Sequence, residues 1–187
     1  MTTELKGKQI ILRSLKKSDA ASIYKYVRSP DIPRYTFVPS PYTIDSAIDF
    51  IKRSHIWRRK GTTYVFAIVP HDANEVVGTI GVHDVSSVHK KAEIGYWLAK
   101  KFRGRGIMPE AIGLALNYCF NELKLQRVQA PTLPDNVISQ KLLKSCGFKY
   151  EGRHRNYYRH RNRIKDAYMY AITVEDYRAM RRKKSTK

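Results

Sequence analysis

The 187-residue sequence contains no run of about 20 uncharged apolar residues, the length that a membrane-crossing helix needs. Its start, MTTELKGKQI, lacks the apolar core of a secretory signal, so a cytoplasmic location is expected. Cysteine is scarce. Cys119 and Cys146 lie in segments that read as helical and apolar, with no CxxC or Cys/His pairing that would hold zinc or build a disulfide framework. Both are expected to be buried thiols, and no metal site is expected. Acidic residues are also few: 16 Asp and Glu face 36 Lys and Arg, giving a formal charge of +20 and a pI near 10.1. Such an excess draws anionic ligands or surfaces, although a basic surface can also serve solubility alone. What is present in quantity is ordinary, with 42% hydrophobic and 11% aromatic residues. That composition excludes disorder and fits one soluble domain. Residues 1–180 are expected to form it, with 181–187 as a basic tail.

The pattern of apolar residues gives the element order. Gln9 to Leu15 reads as a strand, and Ser18-Asp19 as a cap for a helix carrying Ala21, Ile23, Tyr24 and Val27, which Pro30 and Pro33 end. Thr43 caps a second helix with Ile44, Ala47, Ile48 and Ile51 on one face and basic residues at its far end. Tyr64 to Val69, Val76 to Val82 and Ala92 to Leu98 then form an antiparallel meander. A helix runs from Pro109 to about Leu123, followed by a strand at Arg127 to Ala130 and a helix with Ile138, Leu142 and Leu143 that breaks at Gly147. Two last strands, Phe148 to Arg153 and Asp166 to Thr173, are joined by an arginine-rich segment. The result is a mixed α/β (α+β) sheet with helices on both faces.

The turn Arg103-Gly104-Arg105-Gly106 carries the chemistry. Two glycines without Cβ atoms let successive N–H groups point into one concavity, and the following helix adds free N–H groups and its positive dipole end. With Arg103 and Arg105 this suits a pyrophosphate, and Pro109 at the first helical position sacrifices no hydrogen bond. The spacing excludes a Walker loop, which needs GxxxxGK[ST], and a dinucleotide fingerprint, which needs a glycine where Pro109 stands. A plain basic turn remains the competing reading.

Four segments, Ala92-Glu93-Ile94-Gly95-Tyr96-Trp97-Leu98, Phe102 to Gly106, Asn136-Val137-Ile138-Ser139 and Ser145 to Gly152, together resemble the GNAT superfamily of N-acetyltransferases. The likeness spans Leu12 to Tyr177, and the branch it most resembles holds the RimJ/RimL-type ribosomal-protein N-terminal acetyltransferases. It implies a mostly antiparallel seven-stranded sheet that splays between its fourth and fifth strands, the runs at Glu93 and Arg127. Acetyl-CoA would lie there, its pantetheine on backbone groups of Trp97, Leu98 and Ala99 and its pyrophosphate on N–H groups from Arg103 through Gly104, Arg105, Gly106 and Ile107 to Met108. Asn136 matches the position that holds the pantetheine arm, and it also reads as a helix cap. Lys101 stands where relatives have Gln or Arg, keeping a charge without the bidentate fork.

The implied reaction is direct attack of a neutral amine on the thioester, with no acyl-enzyme and thus no nucleophilic role for Cys146. Glu93 matches a glutamate used as base in several relatives, although strand alternation equally allows it on a solvated face. The tyrosine acid that many relatives place four residues before Gly147 is absent, since Leu143 stands there. Ser139 matches a serine in RimL-like relatives and also reads as a capping serine, with Tyr157, Tyr158 and Tyr168 as substitutes. An α-amine, with a pKa near 8, tolerates weaker base machinery than a lysine near 10.4. A protein N-terminus is therefore the expected acceptor. A small amine such as a polyamine, aminoglycoside or amino acid is the alternative, and a non-catalytic RNA-binding module is a third reading. The basic, aromatic run Arg153 to Arg163 suits contact with RNA or the ribosome, or a solvated hairpin beside the acceptor. The protein is expected to act as monomer or homodimer.

Overall fold

The computed structural model describes residues 4–185, with side chains to Arg182. Its main elements run β1 (Glu4–Lys6), β2 (Ile10–Arg13), α1 (Ala20–Val27), α2 (Asp31–Tyr35), α3 (Ile44–Lys60), β3 (Tyr64–Pro70), β4 (Gly78–Ser86) and β5 (Lys91–Leu98). They continue through α4 (Ile107–Asn117), β6 (Arg127–Thr132), α5 (Val137–Ser145), β7 (Lys149–His160), β8 (Arg163–Thr173) and α6 (Val174–Ser185). This is the expected mixed, mostly antiparallel α/β architecture with one strand more than the seven anticipated, because β1 pairs with β2. Helix α6 takes in Arg181 to Ser185 of the segment expected as a tail, and Thr186 and Lys187 lie outside the described residues. The chain divides into two compact units, one of Met1–Asp84 with Gly95–Ala115 and one of Val85–Ile94 with Leu116–Lys187.

In the first unit β1, β2, β3 and β4 pair antiparallel in that order, with Leu12 opposite Ile68 and Phe66 opposite Ile80. Alternation along β2 and a continuous buried run from Val65 to Ile68 on β3 supply core side chains, and a core of Leu15, Ile23, Val27, Ile51, Val65 and Trp97 gathers α1 and α3. Thr43 caps α3 as expected, accepting from the Ser46 N–H at 3.1 Å, and Gly61 ends it with φ 69°. The apolar face of α3 is narrower than its sequence suggests: Ala47 and Ile51 are buried, while Ile44 and Ile48 are 41% and 37% exposed. Asp19 does not cap α1 with its side chain. Its carboxylate takes both Arg13 Nη atoms at 2.8 and 2.9 Å and the Lys16 N–H at 2.7 Å, a buried pair that closes the loop between β2 and α1. Pro30 does not leave a bare loop, for α2 begins directly after it.

In the second unit the order is β5, β6, β8, β7. Strands β5 and β6 run parallel from Lys91↔Arg127 to Glu93↔Gln129, and the other pairs are antiparallel. The β5–β6 ladder ends after three pairs although β5 continues to Leu98 and β6 to Thr132, consistent with the splay. The arginine-rich segment is not a connection between short strands. It is β7 itself, and only Arg161 and Asn162, at φ 49° and 60°, make the turn to β8. Val128, Leu143, Tyr170 and Ile172 are buried here. Gly147, at φ 90°, is fixed by geometry, since a Cβ would lie 3.0 Å from Met180 Sδ. Cys119 is fully buried and its thiol is pushed up to about 12 by desolvation; Cys146 is only half-buried, at the end of α5.

Candidate functional site

Past Leu98 a short 3-10 turn, Lys100–Phe102, buries the Phe102 ring and delivers the chain into the glycine turn. Gly104 and Gly106 both take left-handed φ, 75° and 77°, where an L side chain is strained. A Cβ on Gly104 would meet nothing within 4 Å, so the backbone there faces open space. Helix α4 starts at Ile107, two residues before the expected Pro109, which becomes its third residue. The first intrahelical bond runs from the Glu110 N–H to the Gly106 carbonyl at 3.2 Å. The N–H groups of Ile107 and Met108 therefore head the helix with no intrahelical acceptor, beside the positive dipole end. The Glu110 carboxylate accepts from the Lys8 and Gln9 N–H groups and holds this helix head against the start of β2.

The two arginines of the turn differ in what they do. Arg103 is turned inward: its Nε and Nη2 donate to the Leu98 carbonyl at 3.0 and 2.8 Å, and Nη2 lies 2.5 Å from Asp31. It braces the turn against the end of β5. Asp31 sits below the usual carboxylate range, its desolvation outweighed by the hydroxyl of Ser29 and the charge of Arg103. Arg105 is half-exposed, reaching Asp72 at 3.1 Å with its guanidinium over the Phe102 ring. Lys101 lies over the rings of Tyr26 and Phe102 and 3.5 Å from Glu75, and its pKa is raised, first by the Tyr26 hydroxyl. Lys101 and Arg105 are thus the more exposed cations on the rim of the turn.

Along β5 the predicted backbone contacts divide by the two-residue period. The Ala99 N–H donates to the Val77 carbonyl at 2.8 Å, which turns the polar groups of Ala99, and by alternation those of Trp97, toward β4. Leu98 presents its groups to the opposite edge, where its carbonyl already accepts from Arg103. Of the three residues, the Leu98 N–H is the one best turned outward to a ligand.

In the second unit Glu93 is half-buried on β5, and its Oε1 accepts from the Tyr158 hydroxyl at 3.3 Å. Tyr158 belongs to β7 and stacks edge-on against Tyr157, which meets His154 in the same way. Tyr168 is engaged elsewhere, against Tyr150. Of the three tyrosines that the sequence offered without an order, Tyr158 meets Glu93. Asn136 caps α5, its Oδ1 accepting from the Ser139 N–H at 3.2 Å, so these two predicted residues are brought together. Val137 and Ile138 beside them are 51% and 74% exposed.

Among the described residues no cluster of His, Cys, Asp or Glu could hold a metal ion, and no helix is long and apolar enough to cross a membrane.

A family model for the acetyltransferase (GNAT) domain matches residues 9–149. The chain is 31% identical over 170 residues to the N-acetyltransferase p20 of Bacillus licheniformis, covering 90% of this chain and 95% of that one. It is 28% identical over 123 residues to the [ribosomal protein uS5]-alanine N-acetyltransferase of Escherichia coli, 65% and 63% of the two chains. It is 25% identical over 144 residues to spermidine N(1)-acetyltransferase of Vibrio cholerae, 77% and 81%. The fold is similar to that of Mycobacterium smegmatis RimJ in complex with CoA-disulfide, with a TM-score of 0.82, 24% identity and 94% and 88% of the two chains covered.

Proposed function

Because the chain belongs to the GNAT acetyltransferase family, it is an acyl-CoA-dependent N-acetyltransferase that uses acetyl-CoA, and we propose that its acceptor is the N-terminal α-amine of a protein such as a ribosomal protein. The turn fits the cofactor's diphosphate. Gly104 and Gly106 are both left-handed, Gly104 faces open space, and the Ile107 and Met108 N–H groups head a helix beside it. Lys101 and Arg105 would add charge, Arg103 would hold the turn in place, and the Leu98 N–H and Asn136 would hold the pantetheine. When bound, acetyl-CoA supplies the activated acetyl group. Glu93, oriented by Tyr158, would take a proton from the attacking amine, and Ser139 would support the leaving thiolate.

One observation carries the choice of acceptor: three acidic side chains that could attract a polycationic amine are already paired with arginines. Asp31 pairs with Arg103, Glu151 with Arg127 and Asp166 with Arg153, at 2.5 Å in each case. A protein carrying +20 with these three carboxylates engaged repels a polyamine, whereas a peptide N-terminus brings one charge that is partly lost at neutral pH. Incubation with acetyl-CoA and a panel of N-terminal peptides, polyamines and free amines, following thiol release, tests this. Release with peptides alone is expected, and faster release with a polyamine than with any peptide refutes it.

The same hairpin supports contact with RNA. Arg155, Arg159, Arg161, Arg163 and Lys165 are exposed, and among the described residues none of them is in an ion pair. Five phosphate contacts would give a salt slope of about −3.5 for a single strand. Cations that merely blunt the edge strand β7 against pairing would give no such binding.

A further inference from the structure

Midway along β5, Gly95 is solvent-exposed although Ile94 before it and Trp97 after it are buried. A mid-strand position open to solvent marks a gap in whatever covers the sheet. One side chain reaches into that gap. His83, on the adjacent strand β4, brings its Nε2 to 3.6 Å from where a Gly95 Cβ would stand. The same ring occupies the space above Gly81, whose Cβ would lie 2.2 Å from Nε2 and 2.6 Å from Cε1. Two glycines on neighbouring strands thus leave the sheet bare and seat an imidazole in the space. Any other residue at 81 would evict the ring.

This imidazole is poorly explained as packing. His83 is half-buried, and among the described residues neither ring nitrogen makes a hydrogen bond to the protein. Val65, opposite Gly81 on β3, and Gly95 on β5 bring no charge to it; Asp84, its neighbour in sequence, is the charged group that acts on it. Desolvation outweighs Asp84 and keeps the ring below its ordinary pKa, so the imidazole is neutral at physiological pH and able to accept a proton.

We propose that the bare strip at Gly95 seats the incoming amine, and that His83 Nε2 takes the first proton from its ammonium form. This rests on the acetyl-transfer reading above and adds a residue to it. The step balances as follows. R–NH3+ gives one proton to His83 Nε2, which later passes it to solvent; the freed lone pair forms the N–C bond; the C–S bond breaks with its electrons on sulfur; and the second amine proton, the one assigned above to Glu93, ends on the thiol. Magnitudes favour a histidine for the first transfer. An imidazole, ordinarily near 6.5, accepts a proton from an α-ammonium near 8 more readily than does a carboxylate near 4.3, and the desolvation that lowers His83 narrows that margin without changing its sense.

Two variants test it with an N-terminal peptide acceptor and, in parallel, acetyl-CoA binding by calorimetry. H83Q, close in size to the imidazole but unable to accept a proton, is expected to lower kcat/KM by about a hundredfold or more and to erase the histidine limb of its pH profile. G95A, whose added methyl makes only ordinary contact with the ring, is expected to raise the acceptor KM. Neither should move the Kd of acetyl-CoA. A wild-type rate and pH profile in H83Q overturn the His83 assignment and leave the acetyltransferase reading standing. A wild-type protein that binds no acetyl-CoA overturns that reading, and the assignment with it.

Discussion

Replacing Gly104 with alanine separates the two things the glycine turn does. At φ 75° with nothing within 4 Å of the added methyl, the substitution creates no clash, and its whole effect on the free protein is backbone strain. A non-glycine residue in the left-handed region costs about 1–2 kcal/mol. In a chain of this size that corresponds to a melting temperature lower by roughly 2–8 °C. Gly113→Ala is the control. It sits exposed within α4, also with nothing within 4 Å and without a positive φ, so the same chemical change should stabilise by about 0.5–1 kcal/mol. The assay is thermal melting with and without acetyl-CoA. Ligand at a hundred times its Kd stabilises the wild type by about 2.7 kcal/mol, and a tenfold weaker Kd at the same concentration leaves about 1.4. The methyl on Gly104 intrudes on the space assigned to the diphosphate. G104A should therefore lose both the apo temperature and about half or more of the ligand shift, while G113A gains the first and keeps the second. An unchanged melting temperature and an intact ligand shift in G104A would refute the assignment of this turn as the phosphate cradle.

Three further outcomes follow from the geometry. Glu93→Gln should lower kcat/KM for thiol release by about a hundredfold or more without changing acetyl-CoA binding, and an unchanged rate across pH removes Glu93 as a proton acceptor. Asp19→Ala strands Arg13, whose side chain is only 18% exposed, and should cost about 3 kcal/mol, read as a melting temperature lower by roughly 6–12 °C. A loss under 1 °C would show that the pair contributes little. His83 has a folded pKa below its ordinary 6.5, so the stability it contributes is present above that value and is lost as pH falls through the folded pKa. Chemical unfolding from pH 7 to pH 5 should show a steeper loss in the wild type than in H83Q, and parallel curves would contradict the burial of a neutral ring.

Most of the fold was legible because its elements announce themselves by period and by punctuation. Thr43 and Gly61 bracket α3 by side-chain capping and left-handed backbone, both readable in sequence. What was not legible depended on partners distant in sequence. Asp19 sits where a cap belongs, but the bidentate geometry of Arg13 outbids an orphan N–H, and only the arrangement of β2 against α1 brings that arginine near. Ile44 and Ile48 share a helical face with Ala47, and which part of a face is covered is decided by what packs on it. The run from Arg153 to Arg163 looked like a connection because its residues are charged. A two-stranded edge ribbon has solvent on much of its surface, so hydrophobic alternation is absent although the backbone is regular strand.

The candidate site shows the same boundary between local and non-local information. Glycines at 104 and 106 are dictated by the φ of the turn itself, and the sequence therefore names them. The arginines were read as equivalent charges, yet Arg103 commits its Nε and Nη2 to Leu98 and Asp31, leaving the anion to backbone N–H groups and to the more exposed Lys101 and Arg105. That division makes physical sense. A fixed N–H cradle needs a brace more than it needs a third cation, because each N–H contributes only if its direction is held. Tyr158 and His83 carry no local signal, since each is defined by what it meets across the sheet: Glu93 for the hydroxyl, and two bare glycines for the ring. The pattern Gly81-x-His83 followed by Gly95 could have suggested the second, because a histidine folded over its own strand requires a glycine two residues back. A substitution of Gly81 by alanine, placing a methyl 2.2 Å from Nε2, would accordingly displace the imidazole and should reproduce the rate loss of H83Q with the histidine still present.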